Sequence, residues 1–143
     1  MWDKVNIRGT VETDPHTCER YIDPYPGYPT QVCGTMEVKP VGMGNWPLGG
    51  NSAGLQSGVT GGEGLNTIGL LVTVWGRVID VGVDYFIIDD GYLETVKCVV
   101  RPGDTVPSVD DMVSVTGISS CEEYGGELRR VILRRTKLDT VIW

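Results

Sequence analysis

A chain of 143 residues and 15.6 kDa has room for one domain or two small modules sharing a core, which excludes a multidomain enzyme. Twenty glycines and eight prolines, alongside 41% apolar and 22% charged residues, exclude a collagen, a disordered tail and a helical bundle. The net charge of −7 works against non-specific grip on nucleic acid, which relies on a surplus of Lys and Arg.

From the N-terminus, Met1-Trp2-Asp3-Lys4 opens directly on a strand-like alternation without a leader pattern, which reads as a mature or trimmed product. Residues 3–10 (DKVNIRGT) can be laid on residues 111–118 (DMVSVTGI) with Asp, Val and Gly in register. Each run is followed by a turn-rich stretch with a cysteine and then by a basic-apolar strand. That strand is Glu19-Arg20-Tyr21-Ile22 in the first case and Leu128-Arg129-Arg130-Val131-Ile132 in the second. Residues 1–41 are therefore expected to hold the last strands of a module whose other strands are missing. A two-stranded hairpin alone is marginal in water, so Val5, Ile7, Val11, Tyr21 and Ile22 should pair with the second module or with a neighbouring chain. The run 21–29 (YIDPYPGYP) is too proline-dense for a central strand and predicts an excursion.

Half of the glycines fall within 42–69. Composition alone suggests a flexible linker. Trp46, Leu48, Leu55, Val59, Leu65 and Ile68 are spaced through it, however, and predict an ordered segment that pins a few apolar residues to the following module.

Residues 70–143 read as strands: alternation and β-branched residues mark 70–80, 85–89, 95–101, 112–119 and 128–136. Gly82, Asp90-Gly91, Pro102-Gly103, Pro107 and Gly125-Gly126 punctuate them. Glycines inside the first and fourth of these runs, Gly76 and Gly117, suggest strands that bend sharply into a small closed barrel. A last run, 137–143 (KLDTVIW), offers Leu138, Val141, Ile142 and Trp143 for addition to a neighbour.

Cys18, Cys33, Cys98 and Cys121 form two pairs, one near each end of the chain. Pairing within each half is the economical expectation, although four cysteines allow three connectivities. With no Cys-x-x-Cys motif and a single histidine, a Cys/His zinc site is not expected; structural disulfides are expected ahead of buried free thiols, and they imply an extracellular or cell-surface setting. No apolar run approaches the length of a membrane span, so no membrane insertion is expected.

Reactive constellations are missing. His16, in Asp14-Pro15-His16-Thr17, reads as a loop residue rather than a catalytic base. Asp80, Asp84, Asp89 and Asp90 could in principle support glycoside hydrolysis or hold calcium, but turn chemistry explains them more cheaply. No phosphate-binding loop and no nucleophile elbow occurs, so neither an enzyme nor a cofactor or metal is expected. For binding, Trp75 and Arg77 lie on one side of their strand and, with Tyr85, could stack sugars or bases, while Phe86 reads as core. Arg129-Arg130 and Arg134-Arg135 form a basic strand that could meet an acidic surface of another copy.

Five strands in this order, with Trp75-Gly76-Arg77-Val78 in a long bent first strand and the turn Ile87-Ile88-Asp89-Asp90-Gly91 after the second, resemble the OB (oligonucleotide/oligosaccharide-binding) fold. Val59-Thr60-Gly61-Gly62, Gly69-Leu70-Leu71-Val72 and Val115-Thr116-Gly117-Ile118-Ser119-Ser120-Cys121 look, in addition, like a module repeated in large, uncharacterised secreted bacterial surface proteins. The likeness covers about the last two-thirds of the chain. It implies an all-β architecture: a five-stranded OB-like Greek-key barrel over 70–143, preceded by a partial OB-like module over 1–41 and a Gly-rich connection over 42–69. It carries no catalytic residues to transfer. Under it, a Cys98–Cys121 bridge would staple the barrel wall, contributing roughly 3 kcal/mol in the chain-entropy model. Cys18 and Cys33 would likewise hold the Pro/Tyr-rich excursion.

The expectation is a non-enzymatic extracellular structural protein whose main partner is itself, joined by strand complementation into a filament or surface layer. The alternative is a carbohydrate-binding module of a secreted protein, with single-stranded nucleic acid the weaker ligand.

Overall fold

The computed structural model describes residues 2–16 and 18–143; Met1 and Thr17, the last residue of the expected 14–17 turn, lie outside them. The described residues are all-β, with no α-helix and with eleven strands in one large mixed sheet and two small ladders.

The N-terminal third is a long arm. β1 (Trp2–Asn6) pairs antiparallel with β4 (Gln31–Met36), and β2 (Gly9–Thr13) pairs with β3 (Arg20–Pro24). The two ladders follow one another along the same pair of chain segments. They are separated by Ile7-Arg8 on one side and by 25–30 on the other; the excursion expected over 21–29 is shorter, because 21–24 pair with β2 as part of β3. Tyr25 and Tyr28 pack edge to face there, with ring centroids 6.3 Å apart.

The chain then joins the main sheet through β5 (Val41–Gly42), parallel to β6 (Leu71–Val81). β6 pairs antiparallel with β7 (Tyr85–Asp89), which pairs antiparallel with β8 (Thr95–Val99). β8 runs parallel to β10 (Glu127–Leu133), β10 antiparallel to β9 (Met112–Tyr124), and β9 antiparallel to β6. The pairings therefore return to the strand from which they started. Such a circuit needs two long strands that serve different partners along their length, and close packing at glycine makes the bends possible. A side chain at Gly76 would collide with the backbone of Asp89, and one at Gly117 with Ile132 and the Leu133 carbonyl.

Alternation predicts the core. Val72, Val74, Val78, Phe86, Ile88, Val96, Cys98, Val113, Val115 and Ile132 point inward and are fully buried. Leu48, from the Gly-rich segment, is fully buried in the same cluster. That segment is bolted down by polar groups. Asn45 donates from Nδ2 to the carbonyls of Ile88 (3.4 Å) and Glu94 (3.2 Å), and its backbone N–H donates to Asp90 Oδ2 at 2.8 Å. Gly49 N–H donates to Thr67 Oγ1 at 2.8 Å. Several of the glycines adopt positive φ, Gly49 (+81°) and Gly50 (+60°) among them, so the ordered path itself demands glycine. Trp46 and Ile68 are half-buried, whereas Leu55 and Leu65 are exposed.

The C-terminal run is used within its own chain. A 3-10 turn (Lys137–Asp139) leads into β11 (Thr140–Ile142), which pairs antiparallel with β9 at Val113–Val115. Asp139 caps this turn, accepting hydrogen bonds from Arg135 N, Nε and Nη2 and from Thr136 N. Burial would raise its pKa, but the Arg135 and Thr136 hydrogen bonds outweigh burial and hold the carboxyl below the usual range. A carboxylate whose folded pKa lies below the unfolded value of about 3.9 adds stability that is present above that value and lost as pH falls through the folded one. Asp139→Asn should therefore cost about 1 kcal/mol at neutral pH. It should also flatten the acid limb of the stability curve, read by urea unfolding between pH 7 and pH 2; an unchanged limb would refute the assignment.

Candidate interaction surface

The arm exposes what a monomer normally hides. Trp2, Val5, Ile7, Val11, Tyr21, Ile22, Val32 and Met36 are all between 40% and 63% exposed. Across the ladders they form apolar pairs, Trp2 opposite Met36, Val5 opposite Val32 and Val11 opposite Ile22. Each ladder has only two strands, so each strand keeps one outer edge without a ladder partner. Local side-chain bonds set the strands' register: Arg20 Nη1 donates to Thr13 Oγ1 at 3.0 Å, and Tyr21 Oη donates to Glu12 Oε2 at 3.2 Å. That hydrogen bond to Glu12, followed by the Glu12 charge, raises the Tyr21 phenol above its ordinary pKa.

The arm meets the main sheet at both ends. At its base the Arg135 guanidinium lies 4.2 Å from the Trp2 ring centroid. Trp2, Asp3 and Val38 there face Leu70, Leu71 and Ile118 across a cleft of about 380 Å3. At its turn, Gln56 from the Gly-rich segment donates to the Cys18 carbonyl (3.1 Å) and accepts from Arg20 N (2.8 Å).

The glycines aligned in the sequence play one structural part. A side chain at Gly9 would meet Ile22 and the Asp23 carbonyl; one at Gly117 meets Ile132 and the Leu133 carbonyl. In both hairpins the glycine lets the partner strand approach at an isoleucine and the residue after it.

The cysteines require a correction. No disulfide is present; all four are thiols. Cys98 on β8 lies opposite Ile132 on β10, and Ile132 lies opposite Ser119 on β9. Cys121 is thus two strands away, roughly 10 Å or more at normal strand spacing, beyond the reach of a bridge. Cys18 sits in the β2–β3 turn, while Cys33 lies beside Lys4, whose carbonyl accepts from its Sγ at 3.3 Å. From Lys4 to Thr13 the mostly extended chain covers roughly 25 Å or more, so the second expected pair is also separated. Burial drives the Cys98 thiol far above its usual pKa and pushes Cys121 up to about 11.

The basic strand is likewise spent inside the chain. Arg130 pairs with Glu94 at 3.0 Å, Arg134 with Asp104 at 3.2 Å and Arg135 with Asp139 at 2.8 Å, while Arg129 lies over the Tyr124 ring. Burial lowers the Arg130 pKa and Glu94 opposes the shift. Of the four arginines only Arg129 is exposed.

Of the stacking residues, Trp75 (51% exposed) and Arg77 share a groove of about 250 Å3 with Ile79, Asp89, Gly91 and Met112. Tyr85 is not in it; its ring lies 5.0 Å below the Lys97 ammonium. His16 is exposed in the β2–β3 turn, its backbone N–H bonded to Asp14 Oδ1. Asp89 and Asp90 accept from Gly91 N and Tyr92 N, the turn chemistry expected of them. Among the described residues no group of three or more His, Cys, Asp or Glu is placed to hold a metal ion, and no helix is long and apolar enough to cross a membrane. No protein-family model, no curated protein and no solved structure matches the chain.

Proposed function

We propose that the chain is a non-enzymatic extracellular structural protein that joins copies of itself by strand complementation, building a filament or surface layer. The observation that carries this reading is the arm: an apolar hairpin, packed like β9–β10 at its glycine, but without the strands that flank its counterpart. In the main sheet, β9 and β10 have β6 and β8 on their outer edges. Among the described residues, no strand pairs with the outer edges of β2 and β3. Strands from a second copy would supply the missing main-chain partners and bury the alternating apolar side chains. An arm reaching a different surface on the next copy makes a head-to-tail contact, which propagates instead of closing. The closed circuit β6–β7–β8–β10–β9–β6, with one parallel pairing, supports reading the main sheet as an OB-like Greek-key barrel and the arm as a partial second module.

Sedimentation velocity over a hundredfold concentration range, with electron microscopy of the same samples, should show species that grow with concentration. Ile22→Lys should weaken association by about tenfold or more, because it places an unpaired charge in the contact. Discrete monomers at every concentration would sink the assembly reading.

The groove at Trp75 and Arg77 supports a second reading, a carbohydrate-binding module, since an exposed indole beside a guanidinium suits a sugar ring. Glycan binding abolished by Trp75→Ala would favour it.

A further inference from the structure

Removing the two expected cysteine pairs leaves the four that would join the arm to the main sheet, and the fold brings the turn of Cys18 towards Cys121. Cys18 follows the arm's turn with a left-handed backbone, φ +58°, and its N–H donates to the Asp14 carbonyl at 2.9 Å. Gln56 clasps the peptide groups on either side of Glu19, so 18–20 is held against 56–57. A few residues on, Thr60 makes two hydrogen bonds to β10. Its N–H donates to the Leu128 carbonyl at 2.8 Å, and its Oγ1 accepts from Leu128 N at 2.9 Å. Leu128 stands two residues before Arg130, the residue opposite Cys121 on β9. The Gly-rich segment thereby carries the Cys18 turn to the end of the main sheet where Cys121 lies.

Cys121 is 1% exposed although Glu123 and Tyr124, just beyond it on the same strand, are exposed. Burial is the main reason its thiol is pushed up to about 11, and the Glu19 and Cys18 charges add to the rise.

We infer that Cys18 and Cys121 are a redox pair whose disulfide locks the turn of the arm onto the main sheet. The oxidant is a second disulfide, either that of a thiol–disulfide oxidoreductase or oxidised glutathione. Cys18 is the more accessible of the two, and its thiolate attacks the oxidant's disulfide after giving its proton to solvent. One oxidant sulfur leaves as a thiolate and the other stays on Cys18 as a mixed disulfide. Cys121 then loses its proton and attacks Cys18 Sγ, expelling the second oxidant sulfur as a thiolate. Two protein thiols are oxidised and one disulfide is reduced to two thiols. Burial of Cys121 makes the second step the slow one. The lock needs no assembly partner, so it stands or falls independently of self-association.

The test is peptide mapping of the folded wild-type chain after equilibration with excess oxidised glutathione and rapid alkylation. Digestion with trypsin and an Asp-specific protease separates peptide 14–20, carrying Cys18, from 111–129, carrying Cys121, and from those carrying Cys33 and Cys98. The expected product is 14–20 joined to 111–129, two hydrogens lighter than the separate peptides, in monomeric protein. Cys33→Ser should leave it unchanged and Cys18→Ser should abolish it. Cys18 joined to Cys33, or Cys18 and Cys121 both alkylated while circular dichroism shows the chain folded, would overturn the pairing.

Discussion

Leu48→Ala is expected to destabilise the whole chain by about 3 kcal/mol, the usual cost of truncating a buried leucine in a core that cannot collapse around the gap. For a domain of this size that lowers the thermal midpoint by roughly 10 °C. Leu55→Ala and Leu65→Ala, at residues 77% and 87% exposed, should stay within about 0.5 kcal/mol. All three leucines lie in the same glycine-rich run, so the contrast isolates burial from composition. Leu48 is held between Asn45, whose side chain is bonded to the Ile88 and Glu94 carbonyls, and Gly49, bonded to Thr67, which in turn meets Ser119. A segment so tied cannot move inward to fill the space left by three carbons. Urea unfolding of the three variants decides it. Equal midpoints for Leu48→Ala and Leu65→Ala would mean that the segment is a tether outside the core.

Alternation made much of the main sheet readable. The starts of β7, β8 and β9 fall at the expected residues, and Val72, Val74, Phe86, Ile88, Val113 and Val115 face inward as period two requires. The ends were less legible. β9 continues past residue 119 to Tyr124, because Ser119-Ser120-Cys121-Glu122 lacks apolar alternation yet keeps its ladder to β10. β4 went unread, since Gln31, Gly34 and Thr35 dilute its two apolar residues and a register shift at Lys4/Val5 breaks the period.

The candidate surface divides in the same way. Exposure of Val5, Ile7, Val11, Tyr21 and Ile22 follows from a hairpin too small to bury its own faces. Lateral strand order decides the rest, and no local pattern contains it. Leu138, Val141, Ile142 and Trp143 are exposed, but Val141 and Ile142 already pair with β9, and Leu138 lies in the 3-10 turn before them. Cys98 and Cys121 are separated for the same reason: β8 and β9 are close in sequence but have β10 between them. Trp75 and Arg77 needed only one strand to share a face, and they do share a groove.

The second large effect is electrostatic. The Arg134 side chain is 1% exposed; it donates from Nη2 to Asp104 Oδ2 at 3.2 Å and from Nη1 to Thr140 Oγ1 at 2.7 Å, and the Phe86 ring lies 6.0 Å away. Asp104 is its one carboxylate partner among the ion pairs of the described residues. Asp104→Ala leaves the guanidinium buried beside an apolar core with its charge uncompensated, which costs about 3 kcal/mol. Arg134→Met removes charge and desolvation together while keeping the aliphatic stem, so it should cost distinctly less. The double variant should then be more stable than Asp104→Ala alone. A urea-unfolding cycle over the four proteins measures this as a coupling between residues thirty positions apart in sequence. Additive losses would mean that Arg134 reaches solvent and that the loop carrying Asp104 does not close over it.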